Sequence, residues 1–208
     1  METTEQAPVR VVGLGGSLSY NSASLAALKI ALSGAEEAGV ETVLLDVREL
    51  DLPMYRPELE ETLPPAAVYL NETVYSAHGL IWSSPLYHGS ISGSFKNALD
   101  WLNPLKERDP VLLTGKVVGL IAVAGGTFGL QAVNTMEFIV RAMRAYAVPL
   151  VLPIARSWKV FDDQGQIQNQ QIEMDLLNLG REVGRDARLV ADSGESDYAL
   201  LTKVRSDR

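Results

Sequence analysis

The 208-residue chain reads as an α/β protein built on a parallel sheet covered by helices on both faces. Two observations predict this. Five short, β-branched apolar runs alternate with segments of helical period, and continuous runs of this kind belong to strands buried on both sides. Glycine-rich turns follow the first, third and fourth runs, where a strand passes into a helix.

Each element has its own signal. Residues 9–15 form the first strand, and 22–38 a helix that opens near Ser22 and is ended by Gly39. Residues 41–47 are the second strand. The stretch 48–65 carries Pro53, Pro57, Pro64 and Pro65 and reads as an irregular surface connection. A second helix over 66–77 leads to a third strand at 79–84, and a third helix spans 92–102 before a charged loop at 106–110. Residues 116–124 make strand four, 130–146 a helix and 148–154 strand five. Residues 156–163 form an extended segment that turns at Gly165, and 169–190 the last helix. Residues 1–192 thus read as one domain, and 193–208 as a polar, flexible tail.

Right-handed crossovers leave few arrangements for five parallel strands. The flavodoxin-like order 2-1-3-4-5 fits, giving a three-layer α/β/α sandwich with a five-stranded parallel sheet. In that order a ligand crevice opens at the carboxyl ends of strands one and three. The rule points to residues 15–24 and 83–94 before any motif is consulted.

Composition excludes several function classes. The chain has no cysteine, which removes disulfides, thiolate metal sites and a cysteine nucleophile. Its two histidines, His78 and His88, have no helical His-x-x-x-His spacing, so no transition-metal site is expected. A net charge of −8 disfavours nucleic-acid binding. The start of the chain lacks a signal-peptide pattern, and no apolar run approaches the ~20 residues that span a bilayer. A cytoplasmic protein that engages neither nucleic acid nor membrane is expected.

The first turn, GLGGSLSYNSAS at 13–24, surrounds a helix start with neutral donors: Ser17, Ser19, Asn21, Ser22 and Ser24. Its glycines allow close backbone approach, and unpaired N–H groups at the helix terminus favour an anion such as a phosphate monoester. A strand-to-helix turn with Asn/Ser capping and no ligand is the alternative. The turn is not a Walker A loop, for no lysine precedes Lys29. It also misses the dinucleotide fingerprint, because Leu18 stands at the third glycine position. Asp46 lies too far along to be that fingerprint's ribose acid and reads as a solvent-facing strand end. A serine-hydrolase elbow fails as well, since Ser19 replaces its last glycine.

The second turn, SSPLYHGSISGSFKNALDW at 83–101, is stiffened by Pro85 and opened by Gly89 and Gly93. Backbone N–H groups over Leu86–Gly89 suit the polar edge of a flat heterocycle, with Tyr87 and His88 beside it. Tyr87 as a half-buried turn aromatic and His88 as a surface residue are the plain alternatives. Lys96 and Asp100 are spaced for a helical ion pair, and Trp101 reads as a packing or subunit-contact residue. The third turn, AGGTFGL at 124–130, has Gly125, Gly126 and Gly129 with Thr127 at the next helix start. It reads either as backbone lying flat against a ligand or as a glycine turn.

These three turns together resemble the NADPH-dependent FMN reductases, flavoproteins of flavodoxin-like fold. The resemblance spans residues 9–191. It is most specific in the middle turn, where Ser84, Pro85 and Tyr87 match the family's opening and Lys96, Asn97, Ala98, Asp100 and Trp101 its ending. It implies that Ser17, Asn21, Ser22 and Ser24 hold the FMN phosphate. It further implies that Pro85, Leu86, Tyr87, His88, Gly89 and Ser90 line the flavin, while Gly125, Gly126 and Thr127 close its other side. Family members are homodimers or homotetramers. Three positions depart from the pattern: Ser19 replaces an arginine, Leu86 a glutamate and His88 an asparagine. Without that arginine's contact of about 1.5–3 kcal/mol, FMN affinity would fall roughly ten- to a hundred-fold.

The function so implied is an FMN-dependent NAD(P)H oxidoreductase. It would pass hydride from NAD(P)H to FMN and on to a small-molecule acceptor such as free flavin, quinone, azo dye or metal oxyanion. The protein then needs no catalytic side chain of its own. A flavodoxin-type FMN electron carrier without NAD(P)H turnover is the alternative, and a flavin-free scaffold a more distant one. Arg108, Arg144 and Arg156 are each able to meet an adenosine 2′-phosphate, or simply to be solvated.

Overall fold

The computed structural model of the chain describes residues 8–203, with side-chain surroundings through Asp192. Five strands lie parallel: β1 (Arg10–Gly15), β2 (Glu41–Asp46), β3 (Gly79–Tyr87), β5 (Val117–Val123) and β6 (Tyr146–Ile154). Their order is β2-β1-β3-β5-β6. Numbered as parallel strands alone, this is the expected 2-1-3-4-5. The sixth strand, β4 (Ser90–Ile91), pairs antiparallel with the end of β3.

The sheet separates two apolar layers. On one face α1 (Ala23–Glu37) and α6 (Gln170–Lys203) cover Val11, Ile81 and Ile121. On the other, α3 (Pro65–Tyr75), α4 (Gly93–Asp100) and α5 (Leu130–Ala142) cover Val12, Leu14, Leu80, Trp82 and Leu120. The consecutive buried residues of β3 and β5 therefore serve both layers, which is why these strands show no polar alternation. Helices α1 and α6 nearly touch, since a Cβ on Gly180 would stand 1.8 Å from the Ala31 carbonyl oxygen.

Several element bounds differ from the sequence reading. The proline-rich connection contains α2 (Val47–Leu50) and a 3-10 turn at Pro57–Thr62. Strand β3 continues past Pro85, because β4 folds back and pairs Leu86 with Ile91 and Tyr87 with Ser90. Helix α5 stops at Ala142: Arg144 takes φ 66° and strand β6 starts at Tyr146. A 3-10 turn occupies Ser157–Lys159, and Phe161 bridges Ile167 around the Gly165 turn. Helix α6 runs on to Lys203 instead of ending near residue 190, and the remainder of the expected tail, 204–208, lies outside the described residues. Among the described residues no helix is long and apolar enough to cross a membrane.

Candidate functional site

The turns after β1, β3 and β5 meet at the carboxyl edge of the sheet, as the strand order requires. The first two are fastened together. The Gly16 N–H donates to the Ser83 carbonyl at 2.8 Å, and the Gly16 carbonyl accepts the hydroxyls of Ser92 and, at 3.0 Å, Ser94. The Ser83 hydroxyl donates to the Ser24 carbonyl at 2.7 Å. Ser92 also caps α4 by accepting the Phe95 N–H at 3.1 Å.

The glycines of the first turn do not serve close ligand approach as expected. A Cβ on Gly13 would lie 2.8 Å from Leu32, one on Gly15 2.9 Å from Leu25, and one on Gly16 2.5 Å from Phe95. They are small so that α1 and α4 can pack against the strand end. The open positions are elsewhere: a Cβ on Gly89, Gly93, Gly125 or Gly126 would meet nothing within 4 Å.

The polar residues of the first turn separate into two ranks. Ser19 and Asn21 are exposed at the mouth, and Asn21 makes no hydrogen bond to another described residue. Ser17 is only 6% exposed, and its hydroxyl accepts the Ser19 N–H at 3.2 Å. Ser22 caps α1 by accepting the Leu25 N–H at 3.1 Å, and its hydroxyl lies 2.9 Å from that of Ser24. Ser24, 2% exposed, stands behind Ser22.

A cation that sequence reading missed stands beside this turn. The Arg48 guanidinium lies 5.1 Å above the Tyr20 ring and pairs with Asp46 at 3.2 Å. Nothing in the spacing of residues 13–24 announces it. The sheet register does, because Gly15 is opposite Asp46. Asp46 itself is buried, not solvent-facing as expected: it caps α2 by accepting the Arg48 N–H at 2.9 Å. A cavity of about 300 Å³ lies off the edge strand, lined by Leu44, Asp46, Glu49, Leu50, Ala66 and Tyr69, so Asp46 borders both it and the end of β1.

In the second turn, His88 (φ 50°) and Gly89 (φ 80°) join β3 to β4 as a two-residue hairpin of the type I′ kind. Pro85, Leu86 and Ser90 are half-buried in that hairpin, while Tyr87, His88 and Gly89 project at its tip. In the third turn Gly125, Gly126, Thr127 and Phe128 are all exposed. It is strapped to the end of β6: Arg156 N–H donates to the Gly126 carbonyl at 2.7 Å and Ser157 N–H to the Ala124 carbonyl at 3.0 Å. Gly129 is different, as its Cβ position abuts Pro153 at 3.2 Å.

The motif ending at 96–101 has a supporting task. Lys96 pairs with Asp100 at 2.5 Å on an exposed helix face. Asn97 accepts the Tyr55 N–H at 2.8 Å and donates to the Pro53 carbonyl at 3.0 Å. Buried Trp101 gives its indole N–H to the same carbonyl at 2.7 Å and meets the Tyr55 ring edge-on at 5.3 Å. The packing role expected of Trp101 is what it performs. Beyond it, a hydrogen bond between Tyr55 and Glu60 holds the phenol above its usual pKa and the carboxyl below its own.

The edge thus presents neutral hydroxyls and amides at the first turn and open backbone at the second and third. Exposed Tyr20, Tyr87 and Phe128 stand around them. This donor set fits a phosphorylated planar heterocycle: weak neutral donors for the phosphate, and space beside flat backbone that no Cβ fills. Among the described residues no group of acidic, histidine or cysteine side chains is arranged to hold a metal.

Fold and crevice together define a flavodoxin-like α/β protein. The solved structure of FerB, a flavoenzyme NAD(P)H:(acceptor) oxidoreductase from Paracoccus denitrificans, overlays with a TM-score of 0.69 at 18% identity, covering 86% of this chain and 97% of that one. At that identity the likeness speaks for the fold. The family model for NADPH-dependent FMN reductase matches residues 9–159. The NADPH-dependent FMN reductase ArsH of Shigella flexneri is 29% identical over 97% of this chain and 76% of its own length. An NAD(P)H-dependent FMN reductase of Pseudomonas aeruginosa is 30% identical over 76% of this chain and 84% of its own. The chain belongs to the NADPH-dependent FMN reductase family. It is a flavin-dependent oxidoreductase with FMN and NADPH as cofactors.

Proposed function

We propose that the three turns hold FMN at the carboxyl edge and present one flavin face to reduced nicotinamide. Ser17, Ser19, Asn21 and Ser22 bind the phosphate with the amino terminus of α1, and Ser24 holds Ser22 from behind. Pro85, Leu86, Tyr87, His88, Gly89 and Ser90 line one side of the ring, and Gly125, Gly126 and Thr127 the other. The observation that carries this reading is the set of open glycine positions at Gly89, Gly125 and Gly126, in a crevice where the glycines of the first turn, Gly13, Gly15 and Gly16, are packed.

Hydride moves from NAD(P)H to the flavin and electrons pass to a small acceptor, chemistry the cofactor supplies when bound. The protein's own work is positional. Bonding between Gly16, Ser92 and Ser94 keeps the phosphate turn in register with the ring turn. The strap from Arg156 and Ser157 fixes the third turn against β6. No side chain is required as acid or base. Free flavin, a quinone, an azo compound or a metal oxyanion is the acceptor class, in a homodimeric or homotetrameric cytoplasmic protein.

The direct test is the double variant Ser17→Ala, Ser22→Ala titrated with FMN. A weakened dissociation constant is expected, and an unchanged one removes the assignment of the phosphate site. Light scattering on the FMN-loaded protein reads the oligomeric state.

A further inference from the structure

The three arginines able to meet an adenosine 2′-phosphate separate cleanly in the fold. Arg108 is paired with Glu72 and lies 5.0 Å over the Tyr75 ring, at the end of α3 that leads into the start of β3. Arg144 follows α5 next to Met143 and Tyr146, whose backbones bond to Leu113 and Lys116 before β5. Both lie at the amino edge of the sheet, opposite the crevice. Arg156 alone of the three stands at the carboxyl edge, beside the third turn.

Its setting is unusual for a surface arginine. The Arg156 backbone holds φ 50°, a left-handed conformation that a long side chain seldom adopts. Bonds to Gly126 (2.7 Å) and from the Lys159 N–H (2.8 Å) impose it. The guanidinium has no carboxylate partner among the described residues, although the chain carries a net charge of −8. Nearby Asp162 spends its carboxylate on the N–H groups of Gln164 and Gln166, at 2.9 and 2.8 Å. Two residues on, Trp158 is 67% exposed, with the Lys159 ammonium 5.0 Å from its ring.

We propose that Arg156, Trp158 and Lys159 form the subsite for the adenosine 2′-phosphate end of NADPH, and so set the preference for NADPH over NADH. The proposal rests on the FMN reading above, which puts the flavin against Gly125–Gly126. The strap bonded to Gly126 and Ala124 carries Arg156, with Trp158 and Lys159 two and three residues further on. The planar guanidinium offers paired N–H donors to the phosphate. The exposed indole offers a face to adenine, and Lys159 adds a second positive charge. An NADH molecule lacks the group that these two cations address.

The test uses FMN-loaded wild type, Arg156→Ala and Arg156→Asn, the last because asparagine tolerates the left-handed backbone. Calorimetric titrations use adenosine 2′,5′-bisphosphate and 5′-AMP as probes, with stopped-flow reduction by NADPH and NADH alongside. Loss of a charge-assisted contact predicts bisphosphate binding weaker by roughly ten- to a hundred-fold in both variants. Binding of 5′-AMP should stay within about twofold, and the NADPH/NADH ratio of reduction rates should fall in parallel. Variants that keep wild-type bisphosphate affinity overturn the subsite. Wild type that binds FMN but does not distinguish the two probes also overturns it and leaves the flavin site standing. Wild type that binds no FMN overturns both.

Discussion

The Asn97 side-chain carbonyl accepts the Tyr55 backbone N–H at 2.8 Å, tying the middle of α4 to the 51–56 connection across 42 residues of sequence. With the Trp101 indole on the Pro53 carbonyl, it turns the signature ending of the second turn into a brace behind the crevice. The brace explains how a proline-rich stretch with little regular structure is held against the sheet's helical layer.

Asn97→Ala should therefore cost about 1–3 kcal/mol, because it leaves the Tyr55 N–H without its acceptor and removes one donor from Pro53. Urea unfolding measures this. A midpoint equal to wild type would mean water replaces the side chain and the connection needs no brace.

Ser92→Ala tests whether the first two turns act as a unit. The buried hydroxyl caps α4 and donates to Gly16, so its loss should destabilise the fold by about 1–3 kcal/mol. FMN should also bind more weakly, since Gly16 lies beside Ser17 of the phosphate turn. A stability loss with an unchanged FMN dissociation constant would show that the two turns hold their places independently.

The glycines make opposite predictions. Gly16→Ala places a Cβ 2.5 Å from Phe95 and should lower stability by about 1–3 kcal/mol. Gly125→Ala and Gly126→Ala meet open space and should change stability by less than about 0.5 kcal/mol. The same two substitutions should weaken FMN, because the methyl group enters the space assigned to the ring. Paired denaturation and FMN titration separate the cases, and FMN binding indifferent to both alanines would move the ring elsewhere.

At the amino edge, Lys116 is half-buried, its ammonium donating to the Tyr75 carbonyl at 2.7 Å and to that of Ala77, with the Tyr75 ring 5.6 Å away. Burial pushes its pKa from 10.5 down to about 8. The unfolded chain then binds more protons than the folded one between those two values, so this group makes stability rise with pH across that window, by roughly 3 kcal/mol at most. The Lys116→Met variant should lack that rise. Urea midpoints of the two proteins between pH 7 and pH 10.5 give the difference, and a constant difference would mean the ammonium is hydrated. Burial first, then Lys116 and Arg10, likewise lowers the pKa of His78 next to them, so its protonation below the usual histidine range works against the fold.

Much of this protein is legible in one dimension. Apolar runs that serve two layers must be interior parallel strands, and crossover handedness then leaves the observed order, so the place of the carboxyl-edge turns follows from the chain alone. The helix starts near Ser22 and Ser92 were equally readable, and in the fold each hydroxyl caps its helix by accepting an N–H three residues on. What the chain could not announce were the long-range assignments. Whether a glycine is small for a ligand or for a neighbouring helix depends on what faces it, and Leu25, Leu32 and Phe95 decide that for Gly13, Gly15 and Gly16. Asp46 turned inward because α2 needed a cap, Arg48 reached Tyr20 because β2 lies beside β1, and Arg156 parted from Arg108 and Arg144 because strands and helices run in opposite directions. Periodicity reports burial and local geometry. Only the packed sheet determines which distant residues become neighbours.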